Sequence, residues 1–413
     1  MVQPKSVGNT RTFRSLRHRN FQLFFGANLI ANIGTWMQRI AQDWLVLELT
    51  GSGTILGIVT ALQFLPALFL SLPSGKLADR IDKRKLLVAT NALAGSTALA
   101  LGVLVVTDLI QVWHVIVIAI LSGAATAIDA PIRQAFVSEL VGKEDLSNAI
   151  GLNSANFNAG RFVGPGLAGL IIAAFGTGPA FLINAATYPV VIAAIVLMKT
   201  HTLHKFERAS KTDGVRLALK YVRKRADLVA VMTLVFMVGA FGINFQVVTA
   251  LMARVEFGLG ASAFGLFGTM IAVGTVTGAI TMARSKQAPK LDFTIKSAIA
   301  LGIVEVIASL MPTYWTFAAM LPLMGFATMM VLTTANAFVQ SSVPDQLRGR
   351  VMGLYLMIFL GGSPLGSPII GKISQDFGAR YGLAVGGAVC AFAALVILLI
   401  VKKRILNATE TSL

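Results

Sequence analysis

About twelve times along this chain a window of about 20 or more mostly apolar residues recurs, each long enough to cross roughly 30 Å of hydrocarbon. Backbone placed in lipid must satisfy every N–H and C=O internally, so windows of this length read as helices. The spans lie near 20–48, 54–76, 86–107, 112–134, 148–175, 179–198, 228–252, 262–283, 293–311, 314–340, 350–371 and 381–401. Composition agrees: 55% of the 413 residues are apolar and 13% charged, too few charges to coat a water-soluble globule of this length. No soluble domain fits between the spans. The expected fold is an all-α membrane protein of twelve transmembrane helices. The first span is too long for a signal-peptide core and no small-residue cleavage site follows it, so it reads as a retained helix.

The chain also carries one stretch twice. A shift of about 202 positions lays Ala135-Phe136-Val137 on Ala337-Phe338-Val339, and Gly160, Gly164 and Gly169 on Gly362, Gly366 and Gly371. Two parallel repeats of six helices, with a binding site between them, are the architecture of a secondary transporter. The division expected is a half over 1–198, a linker over 199–227 and a half over 228–413.

A net charge of +17 invites a nucleic-acid reading, but the charges lie on one side of the implied topology. Arg11, Arg14, Arg17 and Arg19 precede the first span, Lys76 to Lys85 follow the second, and Lys205 to Arg225 fill the linker. About 29 of the 35 basic residues face this side, which the positive-inside rule makes cytoplasmic, with both termini. Anionic lipid headgroups, and no nucleic acid, are the partner this implies. Within the linker, Val215, Leu219 and Val222 recur at helical spacing among basic residues; this fits an amphipathic helix at the interface or a solvated tether.

Cys390 is the single cysteine, which excludes a disulfide framework or cysteine metal site, and no two histidines suggest a ligand pair. No phosphate-cradling loop or nucleophile elbow occurs, so neither ATP drive nor an enzyme is expected, and no cofactor.

Between the second and third spans stands Gly75-Lys-Leu-Ala-Asp79-Arg80-Ile-Asp82-Lys83-Arg84-Lys85. It resembles the loop signature of the major facilitator superfamily, G-x-L-A-D-R-x-G-R-R, with Asp82 where that pattern has glycine. The resemblance implies a cytoplasmic latch made by Gly75, Asp79, Arg80 and Arg84, with Asp79 at the amino end of the eleventh helix. In the fifth span Gly151, Gly160, Gly164-Pro165 and Ala168-Gly169 resemble the antiporter motif G-x8-G-x3-G-P-x2-G-G, typical of exporters. Small residues at these intervals allow close helix approach, and Pro165 permits a bend; an export-type hinge and ordinary close packing both fit. With Asp129-Ala-Pro-Ile-Arg133 and Val343-Pro-Asp-Gln-Leu-Arg348-Gly-Arg350, nearly the whole chain resembles the transmembrane secretion effectors, a branch that includes enterobactin and macrolide exporters.

Ionisable residues inside apolar spans are costly and therefore candidates for function. Glu305 lies about twelve residues into the ninth span, near the bilayer midplane by helical rise, where it could exchange a proton, attract a cation, or simply bond a neighbouring helix or face a lateral water pocket. Arg161 in the fifth span could face a central cavity and bind an anionic group, or pair with an acid. Arg39 and Asp43 are spaced i, i+4 towards the outer end of the first span, and Asp129 and Arg133 repeat that spacing at the inner end of the fourth. They read as gates, with a structural pair the rival for the second.

The expected function is export of small amphipathic molecules, drug-like or siderophore-like, from a bacterial cytoplasm by alternating access. Proton antiport is the expected drive, the partners are substrate, protons and lipid, and a monomer is the working unit. A lipid or lysolipid translocator of the same fold, and a membrane sensor or assembly partner that moves nothing, are the alternatives.

Overall fold

The structure, a computed structural model, describes residues 13–204, 214–284 and 290–410. Their helices are α1 Arg19–Thr50, α2 Gly53–Arg80, α3 Lys83–Val106, α4 Val112–Gly142, α5 Glu144–Phe175 and α6 Thr177–Val196. After the short α7, Gly214–Arg223, come α8 Ala226–Glu256, α9 Ala261–Arg284, α10 Leu291–Ser309, α11 Tyr314–Ser342, α12 Asp345–Phe377 and α13 Ala379–Glu410. Ten of these are long and apolar enough to cross a membrane. The long helices that fall short, α1 and α10, do so through polar and charged residues: Asn28, Asn32, Gln38, Arg39, Gln42 and Asp43 in the first, and the three charges Asp292, Lys296 and Glu305 within the 19 residues of the second.

Connections at one end of the bundle are only a few residues long: Gly51 with Ser52, Gly176, 257–260 and Gly378. Such links leave no room for a return crossing, so consecutive helices run antiparallel. The other end carries Arg14, Arg17, Lys83, Arg84, Lys199, Arg223, Lys224, Arg284, Arg348 and Arg350; it is called the basic end below, and its opposite the short-turn end. At the basic end the chain turns from α4 into α5 at Gly142, whose φ of +72° suits a residue without Cβ, while the Glu139 carbonyl accepts from His204 N at 2.9 Å.

The apolar core is distributed unequally. At the basic end the described residues form two separate clusters. One joins Phe21, Phe24, Phe136, Leu140 and Leu152 of α1, α4 and α5; the other joins Ala218 and Val222 of α7 to Val231, Val339, Val351 and Leu354 of α8, α11 and α12. Towards the short-turn end one continuous cluster unites residues of α1, α2, α5, α8, α9 and α12, including Trp44, Leu56, Ile172, Leu251, Phe264 and Ile370. The linker's amphipathic segment is thus a helix, and Ala218 and Val222 on its buried face dock on the bundle; Val215, foreseen on that face, has a side chain outside the described residues. Where α7 meets α8, Arg225 grips Asp227 with two hydrogen bonds, Nε at 2.9 Å and Nη2 at 2.5 Å, and these hold the guanidinium above its ordinary pKa.

The duplicated glycines make equivalent contacts in the two repeats. A Cβ on Gly160 would lie 2.8 Å from the Asn32 backbone and one on Gly164 2.6 Å from Trp36 Cβ, both on α1; a Cβ on Gly362 would lie 2.6 Å from Ala240 N, on α8. Gly169 packs on Gly265 of α9, and Gly371 on Gly53 of α2. So α5 relates to α1 and α9 as α12 relates to α8 and α2.

Candidate substrate and gating site

At the middle of α5, Arg161 points at the Trp36 ring of α1, with Cζ 5.5 Å from its centroid. One turn along α1, Arg39 approaches the same ring at 4.9 Å and the Phe64 ring of α2 at 5.6 Å. Phe157, one turn before Arg161, meets Trp36 edge-on at 5.7 Å. Two guanidiniums from two helices therefore share one indole, and both remain partly accessible. The sequence placed Arg39 opposite Asp43. In the structure no ion pair closes between them: Arg39 is occupied with rings, and Asp43 is buried with Oδ2 lacking a hydrogen-bond partner.

Asp129 and Arg133 do pair. Arg133 Nε reaches Asp129 Oδ2 at 2.5 Å and Nη2 reaches Oδ1 at 3.0 Å; Thr90 and Asn91 of α3 also donate to Oδ1, at 2.9 and 3.2 Å. Arg133 Nη1 donates in turn to Asn28 of α1. With Thr90 and Asn91 of α3 donating to the carboxylate and Arg133 carrying the network on to Asn28 of α1, this is a cross-brace of α1, α3 and α4. Other polar residues in α1 are committed between helices too: Asn32 donates to Asn156 at 2.9 Å, and Gln38 accepts from Asn184 at 2.5 Å. On the opposite repeat, Asn244 accepts from Ser367 at 2.7 Å and donates to the Ala240 carbonyl at 2.6 Å.

Glu305 is 1% exposed, and its Oε1 has no hydrogen-bond partner. It sits in a space made by glycines: a Cβ on Gly242 would lie 3.6 Å from Oε1, and one on Gly386 3.8 Å from Oε2. Counting from Leu291, it stands about three quarters along its own 19-residue helix, beyond the midplane position expected from helical rise, yet level with the middle of α8. There α8 winds into a π-helical turn, Val238–Gly242, closed by Ile243 N donating to the Val238 carbonyl at 3.0 Å. The carboxyl thus faces the one place where that helix departs from regular winding before its last turn.

In the loop signature, the side chains of Asp79 and Arg80, with Gly75, lie outside the described residues. Arg84 donates through Nη2 to the carbonyls of Ile195 and Val196 at 2.8 and 3.1 Å, so it caps the end of α6, where the helix dipole favours a cation. Asp82, which replaces the pattern's glycine, caps α3 by accepting from Arg84 N at 2.8 Å, at φ −56°. The α5 glycines separate by neighbour: Gly160 and Gly164 admit α1, Gly169 admits α9, and Gly151 at the basic end meets none of the described residues. Pro165 lies against Gly265 and Gly268 of α9.

At the short-turn end α2 meets α12 and α1 meets α8 and α9 in direct contacts. Ser52 Oγ donates to Gln375 Oε1 at 2.6 Å, and the same oxygen accepts from Thr54 N at 3.0 Å. Trp44 stacks on Phe264 at 6.2 Å and carries Arg254 at 5.5 Å. At the basic end, Gly151, Gly349 and Gly353 have nothing among the described residues within 4 Å of where a Cβ would sit. A buried Asp145 there draws in Arg17 at 2.9 Å and His18 at 2.7 Å, pinning the segment before α1.

Trp36, Phe64, Trp44, Arg254 and Asp145 escape sequence reasoning, because each acquires its role from a partner on another helix. The Trp36–Arg39 spacing of i, i+3 was the one local signal available for the indole.

The model of the transmembrane secretion effector family matches residues 10–412. A staphyloferrin A transporter of Staphylococcus aureus is 25% identical over 357 residues, covering 86% of this chain and 89% of that protein. The multidrug efflux pump Tap of Mycolicibacterium fortuitum is also 25% identical, over 375 residues, covering 86% and 89%. In fold, the chain is similar to the crystal structure of the nucleoside transporter NupG, with TM-score 0.72 at 14% identity over 94% of this chain and 99% of that one. A multi-pass helical bundle with this duplicated glycine pattern and a family match over almost its whole length belongs to the transmembrane secretion effectors of the major facilitator superfamily.

Proposed function

We propose that this protein exports small amphipathic molecules across a bacterial cytoplasmic membrane by alternating access. Adding α1 and α10 to the ten apolar helices gives twelve crossings, in two six-helix halves over 1–198 and 228–413 joined by the basic segment 199–227. The positive-inside rule makes the basic end, with both termini, cytoplasmic. The observation that carries this reading is the unequal core: one shared cluster at the short-turn end and two separate clusters at the basic end. That is the expected form of a transporter closed to the outside and open to the cytoplasm, poised to load a substrate for export. The relatives named for siderophore transport and multidrug efflux support the substrate class and direction.

Glu305 is our coupling residue, a buried carboxyl with one oxygen unpartnered beside the π turn of α8, and Arg161 carries substrate charge. Gly75, Asp79, Arg80 and Arg84 form the cytoplasmic latch, and the α5 glycines with Pro165 form the bend between states. The test is efflux from energised everted vesicles of lipophilic cations, macrolides and catechol siderophores. Flux that an uncoupler stops and Glu305→Gln abolishes establishes proton antiport through Glu305. Flux that survives Glu305→Gln leaves an exporter whose Glu305 is structural, and no flux of any compound defeats the exporter reading.

A lipid or lysolipid translocator is the second reading. A groove of about 900 Å³ runs along α8 and α13, apolar through Val229, Phe392 and Val396, with Arg223 and Lys224 at its basic end. Saturable movement of labelled lipid in liposomes would favour it over the first.

A further inference from the structure

We infer that the substrate is an amphipathic anion, held by Arg39 and Arg161 with its apolar or planar part against Trp36 and Phe157. This deepens the exporter reading and rests on it.

Charge balance comes first. Arg39 and Arg161 approach one indole at 4.9 and 5.5 Å, and neither makes an ion pair with a described carboxylate. The acids nearest in the sequence and fold are accounted for. Asp43 stands one turn from Arg39 without reaching it, Oδ2 unpartnered. Asp129 is saturated by Arg133, Thr90 and Asn91. Glu305 belongs to the other repeat, among Gly242, Gly386 and Gly387. Two cations against one acid at membrane depth leave a local excess of positive charge, and such groups are tolerated where they face an aqueous cavity or a ligand.

Geometry comes second. A guanidinium over an aromatic face directs its N–H edge outward, and that edge matches a carboxylate or another oxyanion in two parallel hydrogen bonds. Ring contacts hold the arginines without consuming those donors. The surroundings supply the rest: Phe157 is 47% exposed beside Trp36, and Phe64 lies against Arg39. A charged head on the guanidinium edges with a flat or greasy body on the rings is an amphipathic anion. A lipophilic cation entering the same place would meet two like charges.

The test uses the full chain in nanodiscs and three matched fluorescent probes: a naphthyl alkanoate, its methyl ester and a naphthylalkyl trimethylammonium. We expect the carboxylate to bind at least tenfold more tightly than the ester, and Arg39→Gln and Arg161→Gln each to remove most of that preference. Arg39→Lys and Arg161→Lys, which keep the charge, should retain part of it, and Trp36→Ala should weaken carboxylate and ester alike. Equal binding of carboxylate and ester, tighter binding of the cation, or a preference unchanged in monodisperse Arg→Gln variants overturns the inference. Flux of the same probes in proteoliposomes separates the two readings. Transport that prefers the cation leaves an exporter without an anion site. A carboxylate preference in binding, with no probe transported, leaves the anion site and removes the exporter.

Discussion

The Asp129–Arg133 pair shows how one residue's surroundings decide its role. Four donors from two helices converge on the Asp129 carboxylate, and Arg133 extends the network to Asn28. Asp129→Ala would leave Arg133 partly buried with no counter-charge, and breaking a buried pair on one side costs about 3 kcal/mol or more. The variant should show a clearly lower midpoint of thermal unfolding in detergent than wild type, with Asp129→Asn in between, since its amide oxygen still accepts from Thr90 and Asn91. Arg39 contrasts with this. At the same i, i+4 spacing from its acid it meets rings instead, because Trp36 and Phe64 stand within 4.9 and 5.6 Å of its Cζ. Spacing made both pairs look alike; what differs is the neighbouring helix.

Single helices owe their paths to small residues. A Cβ on Gly371 would collide with the Gly53 carbonyl, and one on Gly53 would lie 2.8 Å from the Gly371 carbonyl. Gly371→Val should therefore force α12 from α2 at the short-turn end. The readout is disulfide crosslinking of Ser52→Cys with Gln375→Cys, whose native side chains are hydrogen-bonded at 2.6 Å; the single native cysteine, Cys390, is buried and does not compete. High yield on the parent background and a several-fold lower yield with Gly371→Val is the expected result. Equal yields would mean that the crossing does not need the glycine.

Most of this level was legible in the sequence. Long apolar windows fix where helices cross because lipid permits few alternatives, and the shifted glycines announced equivalent crossings. The break in α8 was not legible. Val238 to Gly242 reads as ordinary apolar helix, and its π turn exists where Gly239 meets the Phe359 carbonyl and Ala240 meets Gly362 and Gly366 of α12. The candidate site was half legible for the same reason. Glu305 and Arg161 stand out by charge alone, whereas Trp36 as a shared platform depends on the register of α1 against α5.

Over the whole molecule, the two ends differ in what joins the repeats. If the basic end closes when the short-turn end opens, Gly151 on α5 and Gly353 on α12, neither now within reach of another described residue, should come closer. Spin labels at Gly151→Cys and Gly353→Cys should give one long distance at rest and a shorter population with substrate and a proton gradient. A distribution unmoved by either would mean that the bundle does not rock.

The joined apolar core has a thermal consequence. Opening the short-turn end brings water to surfaces such as those of Trp44, Leu56 and Phe264, while the approaching basic ends carry many arginines and lysines and can hide less hydrocarbon in exchange. Exposing hydrocarbon to water raises the heat capacity. The conformational equilibrium should then bend with temperature instead of following a straight van 't Hoff line, and cooling should weaken the seal. Under alternating access, the unequal core would make the resting conformation a property of temperature as well as of ligand.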